Sequence, residues 1–472
     1  MKTLLLVIVA AGGLAGCATM EPRRGFDEVS GQVRERTGMD AHWRSGTEED
    51  ARADAALQDL LGRELTADAA VQIALINNRD LQAVYEELDI TQADLVRAGL
   101  LENPVFSGEL RFDTSGGGTG VALGLTQGFL SLLTMPLRTA RAGSEFEAAK
   151  ARVTQAAVTT AFDTFAAFYE YQAAEEVLGL RLTVEQAAAA SHELARRIRE
   201  AGNMPELDYL SERALYEQAR LDVESAQVAT TQRRERLNAL MGLWGPDTGW
   251  HAGARLPDPV ASEMTPEELE RRSVEASLEL AAARFEIESA AAGARLVQPL
   301  TWLDGSEAGV VGEREVEGDW SVGPEISVPI PIFDMGSAGK GEAAARLRQA
   351  EHRYYATAVR VRAGARESAA VIASARERVV RFRTVLLPMH EQIVHQAQLQ
   401  YNAMQISGFQ LLQARREQIE VGVASIEALR DYWIAQVGVL RIVGGGEAST
   451  PGDLGGRNAT PRGQGGPDQG GH

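Results

Sequence analysis

The 472-residue chain holds a single cysteine, Cys17, which excludes an internal disulfide and any cysteine-rich metal site. Histidine is sparse too. His390 and His395 are five apart and do not share a helix face well enough to form a metal pair. Positive charge is in deficit, with 47 Lys and Arg against 66 Asp and Glu, and the resulting net charge of -19 argues against nucleic-acid binding. The apolar run Leu4 to Ala11 is too short to cross a bilayer as a helix. No glycine-rich loop followed by Lys-Ser or Lys-Thr is present to cradle a phosphate. The glycines at 116–118 and 444–446 read instead as a turn and a helix stop. No nucleophile, base and orienting group fall at a spacing that would make an enzyme, and no residue set calls for a cofactor or metal.

Proline is missing from one place where its absence matters. Between Pro136 and Pro205 roughly 65 residues run from Arg138 to Gly202 without one, enough for a helix of roughly 100 Å. Val177, Leu180, Val184, Ala187, Ser191, Leu194 and Ile198 recur at steps of three and four, the seam of a coiled coil that needs a long partner. The chain breaks at Gly202-Asn203 and restarts at Pro205. Leu207, Leu210, Ala214, Leu221 and Val228 then carry an antiparallel return to Gly242. A second ascent and return occupy Lys340 to Ser407 and Phe409 to Gly444, with Leu412, Ile419, Val423, Ile426, Trp433, Val437 and Leu440 in heptad spacing. Pro388 is expected to kink that second ascending arm. The aromatic residues Phe162, Phe165, Phe168, Tyr169 and Tyr171 read as packing between helices.

The first residues have the form of an export signal: Lys2, an apolar stretch, then small residues. They end in Leu14-Ala15-Gly16-Cys17, which resembles the lipobox of bacterial lipoproteins. That resemblance implies cleavage after 1–17, acylation of Cys17 with chains such as palmitate, and sorting to the outer membrane because Ala18 follows. Residues 18–64 are polar and mixed, and are expected to form an extended tether ending in a short helix. The remaining divisions are a first repeat at 65–244, a Pro/Gly-containing linker at 245–263, a second repeat at 264–444, and a disordered Gly-rich tail at 445–472.

Each repeat has the same order of parts. In the first, Thr66 caps a helix that Asn77-Asn78 interrupts, a second helix runs on to Leu100, and Asn103-Pro104 stops it. The period then changes from helical to two. Phe106, Leu110 and Phe112 alternate with Ser107, Glu109 and Arg111; after a glycine turn, Val121, Leu123 and Leu125 alternate with small residues. In the second repeat Thr265-Pro266 opens the helix pair, Leu280 takes the place of Leu81, and Pro299 ends it. A weakly alternating segment at 300–313 precedes a clear strand in which Trp320, Val322, Ile326 and Val328 share one face.

Four strands per chain cannot close a membrane barrel, and an open edge cannot face lipid because its backbone groups would lack partners. Strands of this kind in a membrane therefore require several chains, closed by rotation. At this point the chain resembles the TolC-like outer-membrane efflux family. The resemblance covers 65–444 and is carried by Leu65-Thr66 through Asn77-Asn78, by Ala98 through Pro104, by Gly323 through Asp334 and by Leu411 through Arg415, in that order.

The family implies a mainly α protein with a small β part. Long antiparallel helical hairpins form a periplasmic α-barrel beneath a transmembrane β-barrel shared by three subunits. It implies a homotrimer in outer membrane lipid, docked to a periplasmic adaptor protein and driven by an inner-membrane pump, the chain itself being a passive duct. It places docking tips at Gly202, Asn203, Met204 and Pro205 and at Ser407, Gly408 and Phe409, with Met404 standing where the first tip has Gly202. An entrance ring of carboxylates on the second hairpin is missing here, since no Asp or Glu occurs from Gln392 to Arg416. Such a ring would have to draw on Glu206, Asp208 or Glu212, which equally suit the positive end of a helix dipole. The rival reading is a lipid-anchored periplasmic coiled-coil adaptor with a soluble β-domain. The strand residues decide between them: Phe106, Leu110, Phe112, Val121, Leu123, Leu125, Trp320, Val322, Ile326 and Val328 would face lipid in a duct and lie buried in a soluble core.

Overall fold

A computed structural model of the chain describes residues 20–112, 119–128, 130–253, 255–300, 305–314, 318–330, 332 and 336–447. Cys17, the glycine turn after the first strand and the tail beyond Glu447 lie outside the described residues. The chain opens with α1 (Phe26–Thr37) and α2 (Glu48–Leu61). The first half continues with α3 (Ala67–Asn77), α4 (Arg79–Ala98), β1 (Val105–Phe112), β2 (Thr119–Gly128), α5 (Leu130–Glu200) and α6 (Glu206–Met241). The second half repeats that order with α7 (Pro266–Ala276), α8 (Leu278–Leu300), β3 (Glu307–Arg314), β4 (Trp320–Ser327), α9 (Ser337–Arg381), α10 (Leu387–Asn402) and α11 (Gly408–Val443).

The halves share their small devices as well as their order. Thr66 Oγ1 accepts from Ala69 N–H at 3.1 Å, and Thr265 Oγ1 accepts from Glu268 N–H at 3.3 Å. At the interruption of each helix pair, Asn78 Oδ1 takes the Leu81 N–H and Ser277 Oγ takes the Leu280 N–H, so both leucines enter the core behind a cap. Asn77 and Asn78 also donate to the last carbonyls of α6, those of Met241, Gly242 and Leu240. Gly242 has φ +66°, and a Cβ there would fall 2.6 Å from the Asn77 carbonyl oxygen, so only glycine fits.

Helix α5 is the spine. Its 71 residues would span about 105 Å, and α1, α3, α4, α6, α8 and α11 all pack along it. It starts earlier than expected, at Leu130, and runs through Pro136. Side chains occupy the carbonyls of that turn: Thr134 Oγ1 donates to Leu130 O at 3.1 Å and Arg138 to Ser131 O at 3.2 Å. A proline within the first two turns therefore costs less than one in mid-helix. The aromatic group on α5 is packing, as expected: Tyr169 stacks on Trp433 at 4.9 Å and Tyr171 meets Trp250 edge-on at 5.0 Å.

One further expectation is corrected. Residues 20–64 are not an extended tether: α1 and α2 fold onto the body, burying Phe26, Val29, Val33, Trp43 and Leu57. Phe26, Trp43 and Tyr85 form one edge-on aromatic cluster, and Arg36 donates to Ala276 O and Gly444 O, both at 2.8 Å. At Pro388, where a kink is expected, the helix is irregular. A five-residue π-helical turn, Phe382–Leu386, precedes it and joins α9 to α10. Proline has no N–H to offer the carbonyl four residues back and its ring crowds that carbonyl; widening the preceding turn relieves both problems.

The linker 245–263 straps the long helices together at mid-height. Arg234 donates to Thr248 O and Trp250 O, Gln172 to Gly253 O, Trp433 to Pro257 O, and Arg376 to Val260 O. Tyr432 O–H donates to Glu263, and Arg383 pairs with Asp258 at 2.7 Å.

Candidate functional site

The four strands make one antiparallel sheet in the order β1-β2-β3-β4, so the two halves meet where β2 pairs with β3. Phe106 lies opposite Leu125, Leu125 opposite Val310, and Val310 opposite Pro324. One row further, Leu110 faces Val121, Val121 faces Arg314, and Arg314 faces Trp320. Because side chains alternate, this register gathers most of the large apolar residues of the four strands on one face, with Arg314 in its end row, while Val105 and Val311 fall on the other. Ser107, Glu109, Arg111, Glu313, Ser321 and Glu325 share the opposite face, where Arg111 pairs with Glu109 at 3.0 Å and Glu313 at 2.7 Å.

That apolar face is open. Phe112 and Ile326 are each 72% exposed, and Phe106, Leu110, Leu123, Leu125, Trp320 and Val322 are exposed with them, while Val121 is half-buried. Val328 follows the same parity and is exposed just past the end of β4. Val310 of β3 joins the face although glycines blur its alternation; the signal was there in Ala308, Val310 and Gly312. None of these side chains is buried in a core, as the soluble β-domain of the rival reading requires. The outer edges of β1 and β4 carry no strand partner among the described residues.

At the far end of the molecule the two helical hairpins turn by the same route. Gly202 N–H bonds Arg199 O and Asn203 N–H bonds Ile198 O; in the second hairpin Met404 N–H bonds Tyr401 O and Gln405 N–H bonds Gln400 O. Both turns are Schellman closures, which need a left-handed residue. Gly202 supplies it at φ +79°, and Met404 adopts it at φ +57°. Thus Met404 does stand in the place of Gly202, at 94% exposure.

The tips differ in chemistry. After the first, Pro205 begins α6 with no side-chain cap, Met204 is half-buried, and Glu206 bridges back to Arg199 at 2.5 Å. Glu212 accepts from Ser191 at 2.8 Å, while Asp208 is exposed. Two of the three candidate carboxylates are therefore engaged within their own hairpin. Nearby, hydrogen bonds from Arg196 and Arg197 hold the Glu193 carboxyl down at about 2. The second tip has no such pairs. Ser407 and Gln410 form a reciprocal capping box, Gly408 opens α11, and Phe409 is exposed, as Met404 is.

No family model matches the chain. It is 23% identical over 389 residues to the cobalt-zinc-cadmium resistance protein CzcC of Cupriavidus metallidurans, covering 80% of this chain and 90% of that protein. Among solved structures it resembles the CmeC outer membrane channel of Campylobacter jejuni with a TM-score of 0.69 at 15% identity, over 84% of this chain and 88% of that one. It also resembles the open state of the MtrE outer membrane channel of Neisseria gonorrhoeae, with a TM-score of 0.64 at 18% identity over 84% and 91% of the two chains. This chain shares the fold of these outer membrane channels. In that fold the sheet and the helical hairpins belong to one structure, a small β-barrel segment continued by a helical barrel.

Proposed function

We propose that the chain is the outer membrane channel of an efflux system: three copies close a twelve-stranded barrel in the membrane, and their hairpins continue it as a periplasmic tunnel. One observation carries this reading. The register puts most of the large apolar residues of the four strands on a single exposed face, with Arg111 and its carboxylates on the other. Eight residues of strand rise about 27 Å, close to the apolar band of roughly 25 Å that outer-membrane barrels present to lipid. Partnering β4 of one copy with β1 of the next removes both open edges, which lipid would leave unsatisfied.

Phe106, Leu110, Phe112, Val121, Leu123, Leu125, Trp320, Val322, Ile326 and Val328 are then the lipid-facing residues. Acylated Cys17 holds the chain to the same membrane. The tips around Gly202 to Pro205 and Ser407 to Phe409 meet an adaptor, and an inner-membrane pump supplies both the energy and the choice of cargo. The test is conductance in planar bilayers together with the mass of the purified protein in detergent. A trimer giving discrete current steps is expected; a monomer that binds bilayers without opening steps overturns the reading in favour of an anchored coiled-coil adaptor.

A further inference from the structure

A single charged side chain interrupts the apolar face of the sheet. Arg314 ends β3 and lies between Val121 and Trp320, with Leu110 completing the row. Every other described outward position of the four strands is apolar or glycine, apart from Thr119 and Gln127. Arg314 is exposed, and no hydrogen bond or ion pair among the described residues engages it. Arg111, on the opposite face, is by contrast held by Glu109 and Glu313.

The height of Arg314 in the face is as particular as its charge. It stands at the end of the sheet farthest from the helices, since β3 rises from α8 and β4 descends toward α9. From the Trp320 row the apolar parity runs down β4 through Val322, Ile326 and Val328, a run of about 27 Å. Arg314 therefore marks one border of the apolar band, where a cation on the lipid face costs little, and not its middle, where it costs most. Its long side chain can carry the charge further toward water while the stem stays on the band. Trp320 leans the other way. A Cβ on Gly312 would lie 3.6 Å from the Trp320 ring, so the indole covers Gly312 in the row below and leaves Arg314 uncovered at the rim.

The geometry points to a headgroup site: the Arg314 guanidinium takes a phosphate of a lipid in the leaflet farther from the helices, and the acyl chains of that lipid lie down the apolar face beneath it. This rests on the channel reading, which puts the face in a membrane, and adds the lipid chemistry that the barrel selects. The ligand must reach the site from the plane of the membrane. It must be an anion, because the guanidinium has no carboxylate of its own. A phosphate meets both demands and offers the planar fork two oxygens at once. Leu123 and Val322, exposed in the next row down, supply the surface for the chains. Three copies would set three such sites around the barrel.

The test is lipid retention by the purified full chain, counted by native mass spectrometry after exchange into mild detergent containing one probe lipid. The probes are lipid A carrying both phosphates and the same lipid with both removed, each with and without an equal concentration of inorganic phosphate. The native chain is expected to hold the phosphorylated form about tenfold more than the other, Arg314→Gln to lose that preference and Arg314→Lys to keep part of it. Arg111→Gln, which removes the cation of the opposite face, leaves the preference unchanged. Equal retention of the two lipids by the native chain, or a preference that survives in Arg314→Gln, overturns the site. Displacement of lipid A by inorganic phosphate overturns its assignment to a lipid. A trimer that conducts but shows no preference refutes this site alone, and a chain that keeps the preference but opens no current steps refutes the duct alone.

Discussion

Single residues distinguish two halves that otherwise repeat each other. Gly202 and Met404 close the same backbone motif, and only the glycine does so without a Cβ in the way. An ordinary side chain in the left-handed region costs about 1–2 kcal/mol, and Met404, at 94% exposure, recovers none of that by packing. Met404→Gly is therefore expected to stabilise the protein by about 1 kcal/mol, less the extra freedom glycine gives the unfolded chain, and Gly202→Ala to destabilise it. Thermal unfolding of the two variants checks both signs. The equivalence of the two residues was legible from the alignment of the repeats, because a turn at a fixed place demands a left-handed residue whatever its identity. The strain at Met404 was not, since sequence shows the residue but not its φ.

At the scale of elements, period was the informative quantity. Alternation in β1, β2 and β4 announced the apolar face residue by residue, and β3 was faint because Gly309 and Gly312 carry no side chain to alternate. Placing Leu110→Arg on the open face is expected to cost about 2–4 kcal/mol in a bilayer, whereas Ser321→Arg, on the opposite face, keeps membrane assembly intact and changes only conductance. Recovery of folded protein in the membrane fraction separates the two. The long helices were equally legible, but their ends were not. Pro136 reads as a boundary until the side chains of Thr134 and Arg138 are seen on the carbonyls around it, and Pro388 reads as a kink with no sign of the widened turn before it. In both cases neighbours absorb what a proline disrupts, and neighbours in space are what a linear reading lacks.

Over the whole molecule, the helices within the 18–64 segment are hard to read from sequence for a physical reason. Phe26, Val29 and Val33 stand at the three- and four-residue steps of a packed helix face, but they are few and set among charges, so composition outweighed spacing. That segment ties the halves together through Arg36, whose burial lowers its pKa and whose guanidinium reaches the last carbonyls of α7 and α11. Arg36→Ala leaves two carbonyls at helix ends without their cationic donor and is expected to cost about 2–3 kcal/mol, read as a lower midpoint in denaturant without loss of helix content in the native state.

The two tips lead to a last consequence. One is pinned by Arg199 and Glu206 and salted with charge; the other offers Met404 and Phe409 to whatever meets it. In the proposed trimer six such contacts would alternate around the axis, an ion-paired tip and then one without an ion pair, so the crown would have threefold and not sixfold order. Against that proposed trimer, a six-membered partner ring made of identical, identically seated copies would meet a mismatch at every second position. A partner fitting the crown of that proposed trimer would count in pairs, each pair reading one tip of each kind.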